Sequence, residues 1–419
     1  MSSKSPCLVQ SVAAIGCRLM PVSSPSPYAW GVRRLVALAI PGGPPFAEAL
    51  RRCWDEGDAV LPLDVRLREP AIARIIEALG PSVIVDASGH PASLPGGQPV
   101  EDGDALVVAT SGTTGESKGV VLTHGAVGAS ARATSARLGV DPSRDRWLAC
   151  LPLSHVGGLS VVTRAMVTGT PVEIQPRFVV EDAKEAARER GATLVSLVPA
   201  ALAGLGPEGA ALFRTIVIGG QQPPARRPGN VVSTYGMTET GSGVVYDGVG
   251  LEGVEVSLRA GEVFLRCPML LRCYRDGTDP KTADGWFATG DAGEVNEDGR
   301  LSIRGRLDDL VISGGENIWP AQVEAVLRGH AAVSDVAVGG RPDPRWGARL
   351  VAYVVPSATG QSAEPATILA ELRELVTQHV APFAAPRELI VVARLPRSAI
   401  GKIQRGELTQ LDGPRASVS

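Results

Sequence analysis

Apolar residues recur along the chain at two spacings, and the spacing depends on where one looks. From residue 105 onward short β-branched runs alternate with helical segments. ALVVAT (105–110), PVEIQP (171–176), TLVSLVP (193–199), TIVIGG (215–220) and VVSTYG (231–236) each read as a buried strand. EDAKEAARERG (181–191) and its counterparts supply amphipathic helices between them. Strands alternating with helices predict a largely parallel sheet covered on both faces, with ligands collecting at the carboxyl ends of the strands. Residues 1 to about 100 are Pro-, Gly- and Ala-rich and carry no usable motif. Within them AIARIIEALG (71–80) reads as an amphipathic helix and SVIVDAS (82–88) as a strand.

The pattern changes near residue 300. A helix starts at Pro320 (PAQVEAVL), strands follow in SDVAVGG (334–340) and RLVAYVV (349–355), a helix buries Ile368, Leu369, Leu372, Leu375 and Val376, and ELIVVARL (388–395) is a last strand. This predicts a small α+β unit behind a polar boundary at Arg306 to Asp308. The expected architecture is an α/β large N-terminal domain over 1–306, with mainly parallel sheets, and a small α+β C-terminal domain over 307–419. The tail DGPRASVS (412–419) is expected to be disordered.

Composition narrows the function classes. With 419 residues and 44% apolar residues the chain can bury a sizeable core. A net charge of -3 with interspersed signs gives no reason to expect nucleic acid or a membrane surface as partner. VRRLVALAIPGG (32–43) is too short to span a bilayer, and the first thirty-odd residues lack the order of a secretory signal, so a cytoplasmic protein is expected. Six cysteines (Cys7, Cys17, Cys53, Cys150, Cys267, Cys273) without a C-x-x-C pair encode neither a zinc site nor a disulfide framework, and reduced, mostly buried thiols are expected.

The most informative stretch is VVATSGTTGESKGV (107–120), where a β-branched run breaks into glycines, hydroxyls and one lysine. Thr110, Ser111, Thr113 and Thr114 add hydroxyl donors. Gly112, Gly115 and Gly119 let the backbone fold tightly enough for successive N–H groups to face one anion, and Lys118 adds a full charge. The order differs from a Walker A loop, which needs G-x-x-x-x-G-K-[ST]. GLGPEG (204–209) matches G-x-G-x-x-G, but it follows PAALA, contains a proline and opens no helix after a strand, so it is not read as a dinucleotide site.

T-S-G-T-T-G-x-x-K-G resembles the pyrophosphate-binding loop of the adenylate-forming (ANL) superfamily: acyl- and aryl-CoA ligases, luciferases and peptide-synthetase adenylation domains. Five further stretches agree with it, and the resemblance covers about residues 105–408. In LPLSHVGGL (151–159) it implies that His155 lines the acid pocket and positions the carboxylate, with Val156 to Leu159 starting a helix along the pocket. In IGGQQ (218–222) it lays the backbone of Gly219, Gly220 and Gln221 against adenine. In STYGMTE (233–239) Tyr235 would stack on adenine beside Gly236, Thr238 would bind the α-phosphate and Glu239 would hold Mg2+. In FATGDAG (287–293) Asp291 would take both ribose hydroxyls, with Arg306 of GRLDDLVISGGEN as a second ribose contact and Asp308 as the hinge between domains. Gly314 and Gly315 would line the pantetheine tunnel, and Lys402 in LPRSAIGKIQR (395–405) matches the catalytic lysine.

The implied cofactors and co-substrates are ATP, Mg2+ and coenzyme A, and the implied reaction is adenylation of a carboxylic acid followed by thiol transfer. The chain reads as short for the superfamily, and LPLSHVGGLSVVTRAM with TYGMTETGSGVVYDGV makes it similar to o-succinylbenzoate-CoA ligases of menaquinone synthesis and related actinobacterial-type acyl-CoA synthetases. It departs at Gly241 to Val244, GSGV, where many such ligases carry a more polar S-Q pair. The expected acid pocket (His155, Val156, Gly157, Ser196, Val198, Gly243, Val244) is small or apolar and suits an aryl or medium acyl chain. Open alternatives are a carrier-protein thiol or an amine as acceptor, nitrite activation for diazo formation, a catalytically silent nucleotide binder, and a homodimeric assembly.

Overall fold

A computed structural model describes residues 20–21, 33–111, 117–221, 223, 226–397 and 403–418. It divides into two compact units. The first comprises the chain up to Pro223 with Arg227–Glu255 and Arg266–Phe287; the second takes Pro224–Arg226, Val256–Leu265 and Ala288–Ser419. This division differs from the expected one at 306, because residues 256–265 and 288–306 group with the C-terminal part.

The first unit holds two sheets with parallel interiors and antiparallel margins. In one, Val83–Val85, Leu35–Leu38, Ala59–Pro62 and Asp104–Ser111 run parallel in that order. Leu35–Leu38 and Ala59–Pro62 are buried along their whole length, as strands covered on both faces must be. On its far side Asp104–Ser111 turns back antiparallel into Ser117–Thr123, which pairs antiparallel with Cys273–Tyr274. In the other sheet Val172–Ile174, Trp147–Ala149, Leu194–Leu197, Thr215–Ile218 and Val231–Gly236 run parallel in that order, followed antiparallel by Gly243–Tyr246 and then Val249–Gly250. The five expected strands all form, the first in one sheet and the other four in the second, but not all are buried as expected: Val172–Ile174 is half-buried throughout and Val231–Gly236 is buried only at Val231. GLGPEG lies inside a helix, Pro199–Ala210, that kinks at Gly206 before Pro207.

Helices follow from equally local causes. His124–Leu138 is capped by the Thr123 hydroxyl, which accepts from the Ala126 N–H at 3.1 Å, and ends on left-handed Gly139. Val156–Thr168 begins directly after His155, where the LPLSHVGGL stretch places it. Among the described residues no helix is long and apolar enough to cross a membrane, and the described cysteines Cys53, Cys150, Cys267 and Cys273 are free thiols; Cys7 and Cys17 lie outside the described residues.

In the second unit the period-2 pattern of DVAVGG is realised literally. Val336 and Val338 face the helices Pro320–Leu327 and Pro365–His379, packing with Val323, Leu327, Ile368, Leu369, Leu372 and Val376. Ala337 faces the opposite side with Tyr353, Ile390 and Leu408. The tail departs from expectation. Arg415–Ser417 is an edge strand antiparallel to Glu388–Val391, with the Val418 N–H donating to Arg387 O at 2.9 Å. Without it the N–H and C=O groups beside buried Leu389 and Ile390 would form a bare sheet edge, so the tail's ordering satisfies a backbone demand that its polar composition conceals.

Gly158 fixes how the loop before Val156–Thr168 meets that helix. A Cβ there would lie 2.5 Å from Pro152 O and closer still to Leu151 O, both backbone atoms that cannot swing away. Gly158→Ala is therefore expected to cost about 1–3 kcal/mol, read as a lower urea midpoint. Gly157→Ala, whose Cβ would meet only Leu151 Cδ1 at 3.7 Å, should change stability by less than about 0.5 kcal/mol.

Candidate active site

The phosphate-loop stretch is flanked by the antiparallel strands Asp104–Ser111 and Ser117–Thr123. Thr110 pairs with Lys118 and Ser111 with Ser117 across the two strands, and the Thr110 hydroxyl donates to Lys118 O at 3.3 Å. Gly112, Thr113, Thr114 and Gly115 lie outside the described residues, so their roles rest on sequence. Lys118 is exposed, its ammonium 5.3 Å from the centre of the Tyr274 ring. Gly119 serves packing: a Cβ would sit 2.7 Å from Leu79 Cδ2 and 2.9 Å from both Arg275 Cβ and Val107 Cγ1.

Glu239 follows the strand Val231–Gly236 in a short 3-10 turn, Thr238–Thr240. The turn is locked by Thr240, whose hydroxyl accepts from the Met237 N–H at 2.9 Å and donates to Ser242 O at 2.7 Å. Glu239 is half-buried, and its Oε1 accepts from the Tyr274 hydroxyl at 3.0 Å. Oε2 has no hydrogen-bond partner among the described residues. Among the same residues no group of three or more His, Cys, Asp or Glu could hold a metal ion. A lone hard carboxylate oxygen, half-exposed beside a lysine, fits a Mg2+ that takes its remaining ligands from phosphate and water.

The glycines expected at adenine have separable causes. A Cβ on Gly219 would lie 2.7 Å from the Thr234 hydroxyl oxygen, whereas Gly220 has open space but a φ of +81°. Gly236 and Gly243 face each other across an antiparallel pair, and a Cβ on Gly243 would meet Thr234 Cβ at 2.7 Å. Tyr235 is half-buried, Val244 fully buried and Gln221 exposed.

His155 caps the helix Val156–Thr168 through its backbone, its carbonyl accepting from Gly158 and Leu159 at 3.0 and 2.9 Å. Ser196 is buried on Leu194–Leu197 and Val198 starts the next helix. A cleft between His124–Leu138 and Val156–Thr168 is lined by Val127, Ser130, Val156, Ser160, Thr163 and Gly241, among others. The hydroxyl of Ser130, one of the lining residues, shares a hydrogen bond of 2.7 Å with that of Ser242. The helix His124–Leu138 thus contributes to the cleft, a role its weak amphipathic pattern did not announce. Asp64, from the stretch that carried no motif, is close enough to His155 to feel its charge. Burial pushes the Asp64 carboxyl up, but the bidentate Arg66 hydrogen bonds at 2.8 and 2.7 Å, aided weakly by His155, leave it below the usual range. Burial pushes the Cys150 thiol, just before LPLSHVGGL, up to about 12, so it stays protonated and does not compete as a nucleophile.

In the second unit the expected ribose pair comes together. Asp291 and Arg306 are cross-strand partners; the guanidinium Nη1 donates to Thr289 O at 2.7 Å and lies 3.3 Å from Asp291 Oδ1. Asp308 sits in the 3-10 turn Leu307–Asp309, its carboxylate 3.9 Å from Arg306 Nη2. Gly314 and Gly315 have φ of +62° and +85°, and a Cβ on Gly314 would lie 2.8 Å from the Trp346 ring. Lys402 lies outside the described residues. Its flanks are pinned: Arg397 bridges to Ile403 and ion-pairs with Asp335 at 2.7 Å, while Arg405 pairs with Asp309 at 3.0 Å and with buried Glu324 at 2.5 Å.

Residues 89–272 match the model of the AMP-binding enzyme family, and residues 322–402 match that of the AMP-binding enzyme C-terminal domain. A probable 2-succinylbenzoate–CoA ligase of Mycobacterium tuberculosis is 39% identical over 81% of this chain and 94% of its own length. The 2-succinylbenzoate–CoA ligase of Listeria monocytogenes is 34% identical over 73% and 70%. Among solved structures, the o-succinylbenzoate CoA synthetase of Bacillus subtilis in complex with the acyl-adenylate intermediate superposes with a TM-score of 0.80 at 28% identity, covering 91% of this chain and 90% of that one. The ATP-bound MatB of Rhodopseudomonas palustris, at 22% identity and a TM-score of 0.78, shares the fold. With its large N-terminal and small C-terminal domain, the chain belongs to the AMP-binding enzymes of the adenylate-forming superfamily and is an AMP-forming acyl-CoA ligase.

Proposed function

We propose that this ligase activates o-succinylbenzoate and passes the acyl group to coenzyme A. The observation that carries this reading is the 39% identity to a probable 2-succinylbenzoate–CoA ligase across 94% of that protein's length. A structural neighbour that holds the o-succinylbenzoyl adenylate supports it.

A carboxylate is a poor acyl donor because oxide is a poor leaving group. In the first half-reaction a carboxylate oxygen attacks the α-phosphorus of ATP, and the bond to pyrophosphate breaks. His155 orients the attacking carboxylate, Thr238 and Lys118 meet charge on the phosphate oxygens, and Lys402 bridges carboxylate and α-phosphate. Glu239 would hold Mg2+, which when bound neutralises phosphate charge. Tyr235 with Gly219 and Gly220 receives adenine, and Asp291 with Arg306 receives the ribose. In the second half-reaction the coenzyme A sulfur attacks the acyl carbon and the bond to AMP breaks. A swing of the small domain about Asp308 exchanges Lys402 for the Gly314–Gly315 turn, where the open space at Gly315 leaves room for the pantetheine arm.

Incubation with ATP, Mg2+, coenzyme A and a panel of acids, read by product mass, tests the substrate. The o-succinylbenzoyl thioester is expected; a thioester of another acid, or acyl transfer only to a carrier protein or an amine, would overturn the assignment. Lys402→Ala is expected to slow pyrophosphate release by about 100- to 1,000-fold while thioester formation from supplied acyl adenylate continues at the wild-type rate. Asp291→Asn, which removes a charged acceptor, should raise the KM for ATP by about 10- to 100-fold, measured by pyrophosphate release at saturating acid.

A further inference from the structure

Lys118 and Glu239 carry opposite charges into the same site, and among the described residues no ion pair joins them. Tyr274 stands between. The Lys118 ammonium lies 5.3 Å from the centre of its ring, and its hydroxyl donates to Glu239 Oε1 at 3.0 Å. We propose that Tyr274 is a positioning residue that holds Lys118 and Glu239 apart and aims each at the phosphates of ATP. The proposal rests on the assignment of Glu239 to Mg2+ and of Lys118 to phosphate.

The segment around Tyr274 is built against Glu239 at two points. The Leu271 N–H donates to the Glu239 carbonyl at 2.7 Å, and three residues on the tyrosine hydroxyl reaches the same residue's carboxylate. Cys273 and Tyr274 pair with Val121 and Val120, two residues beyond Lys118 on the same strand. The turn that follows closes on Tyr274 itself, with the Tyr274 N–H donating to Thr278 O at 2.8 Å and the Gly277 N–H donating to Tyr274 O at 2.9 Å. Lys281 fastens the other side, its ammonium donating to Leu271 O at 2.9 Å and Arg272 O at 2.8 Å. The phenol is therefore fixed by backbone contacts on both flanks and does not depend on ATP for its place.

The chemistry of the phenol explains why this position suits a tyrosine. An ammonium and a carboxylate free to meet would neutralise each other and leave less charge for ATP and for Mg2+. The ring face attracts the ammonium and the hydroxyl occupies one carboxylate oxygen, so Oε2 stays available to a cation and Lys118 stays available to an anion. Phenylalanine would keep the ring and lose the hydroxyl; leucine would lose both.

The test measures metal binding directly. Mn2+ is titrated into the enzyme with ATP, and free Mn2+ is followed by its electron paramagnetic resonance signal. Tyr274→Phe is expected to weaken Mn2+ binding to the ATP complex about tenfold or more with an unchanged thermal midpoint of the ligand-free protein. Tyr274→Leu is expected to weaken ATP binding as well. Adding Tyr274→Phe to Glu239→Gln should cause no further loss, since the tyrosine acts through that carboxylate. If Glu239→Gln weakens Mn2+ binding and Tyr274→Phe does not, the positioning role is wrong while the metal assignment stands. If Glu239→Gln itself binds Mn2+ as the wild type does, the metal assignment fails and the proposal fails with it.

Discussion

The site depends on one short antiparallel ladder, in which Cys273 and Tyr274 pair with Val121 and Val120. That pairing brings a segment more than 150 residues downstream onto the strand that leaves the phosphate loop. Lys118, Tyr274 and Glu239 meet because of it, although they come from three separate parts of the chain. Burial of Val120, Val121 and Cys273 makes the register strongly specified. A slip by one residue would turn the tyrosine to the other face and separate the two charges.

The chemistry asked of the fold is positioning more than bond making. No side chain need become covalently attached to the acid, and the nearby thiol of Cys150 is held protonated by burial. What the protein supplies is charge placed in advance and glycines where backbone must approach something closely. The glycines show two distinct demands. At Gly119, Gly158 and Gly219 a neighbour already fills the space of a Cβ; at Gly220 and Gly315 space is free and the left-handed backbone is what requires glycine.

Legibility in the sequence followed how local each cause was. The small domain was readable because DVAVGG, RLVAYVV and the helix carrying Ile368, Leu369, Leu372 and Val376 show clean periods of 2 and 3.6 that their own side chains enforce. The five strands from ALVVAT to VVSTYG were readable from their β-branched residues, although Val172–Ile174 and most of Val231–Gly236 are only half-buried. The four-stranded sheet from Glu255 to Arg306 was not, since strands such as EVSLR are mostly half-exposed or exposed and their polar alternation resembles loop. The tail 415–417 was misread because its order comes from the sheet edge formed by Glu388–Val391. Within the proposed site, Lys118, Glu239 and Asp291 were picked out by motif resemblance, and the role proposed for Lys402, outside the described residues, rests on that resemblance alone. Tyr274 and Asp64 were not, because neither sits in a pattern and both act through a partner distant in sequence.

Formation of an enzyme-bound o-succinylbenzoyl adenylate before any thiol is engaged can be followed by isotope exchange between labelled pyrophosphate and ATP without coenzyme A. Exchange is expected that depends on o-succinylbenzoate and on Mg2+ and proceeds with coenzyme A absent. Exchange that appears only when coenzyme A is added, or that ignores o-succinylbenzoate, would contradict it.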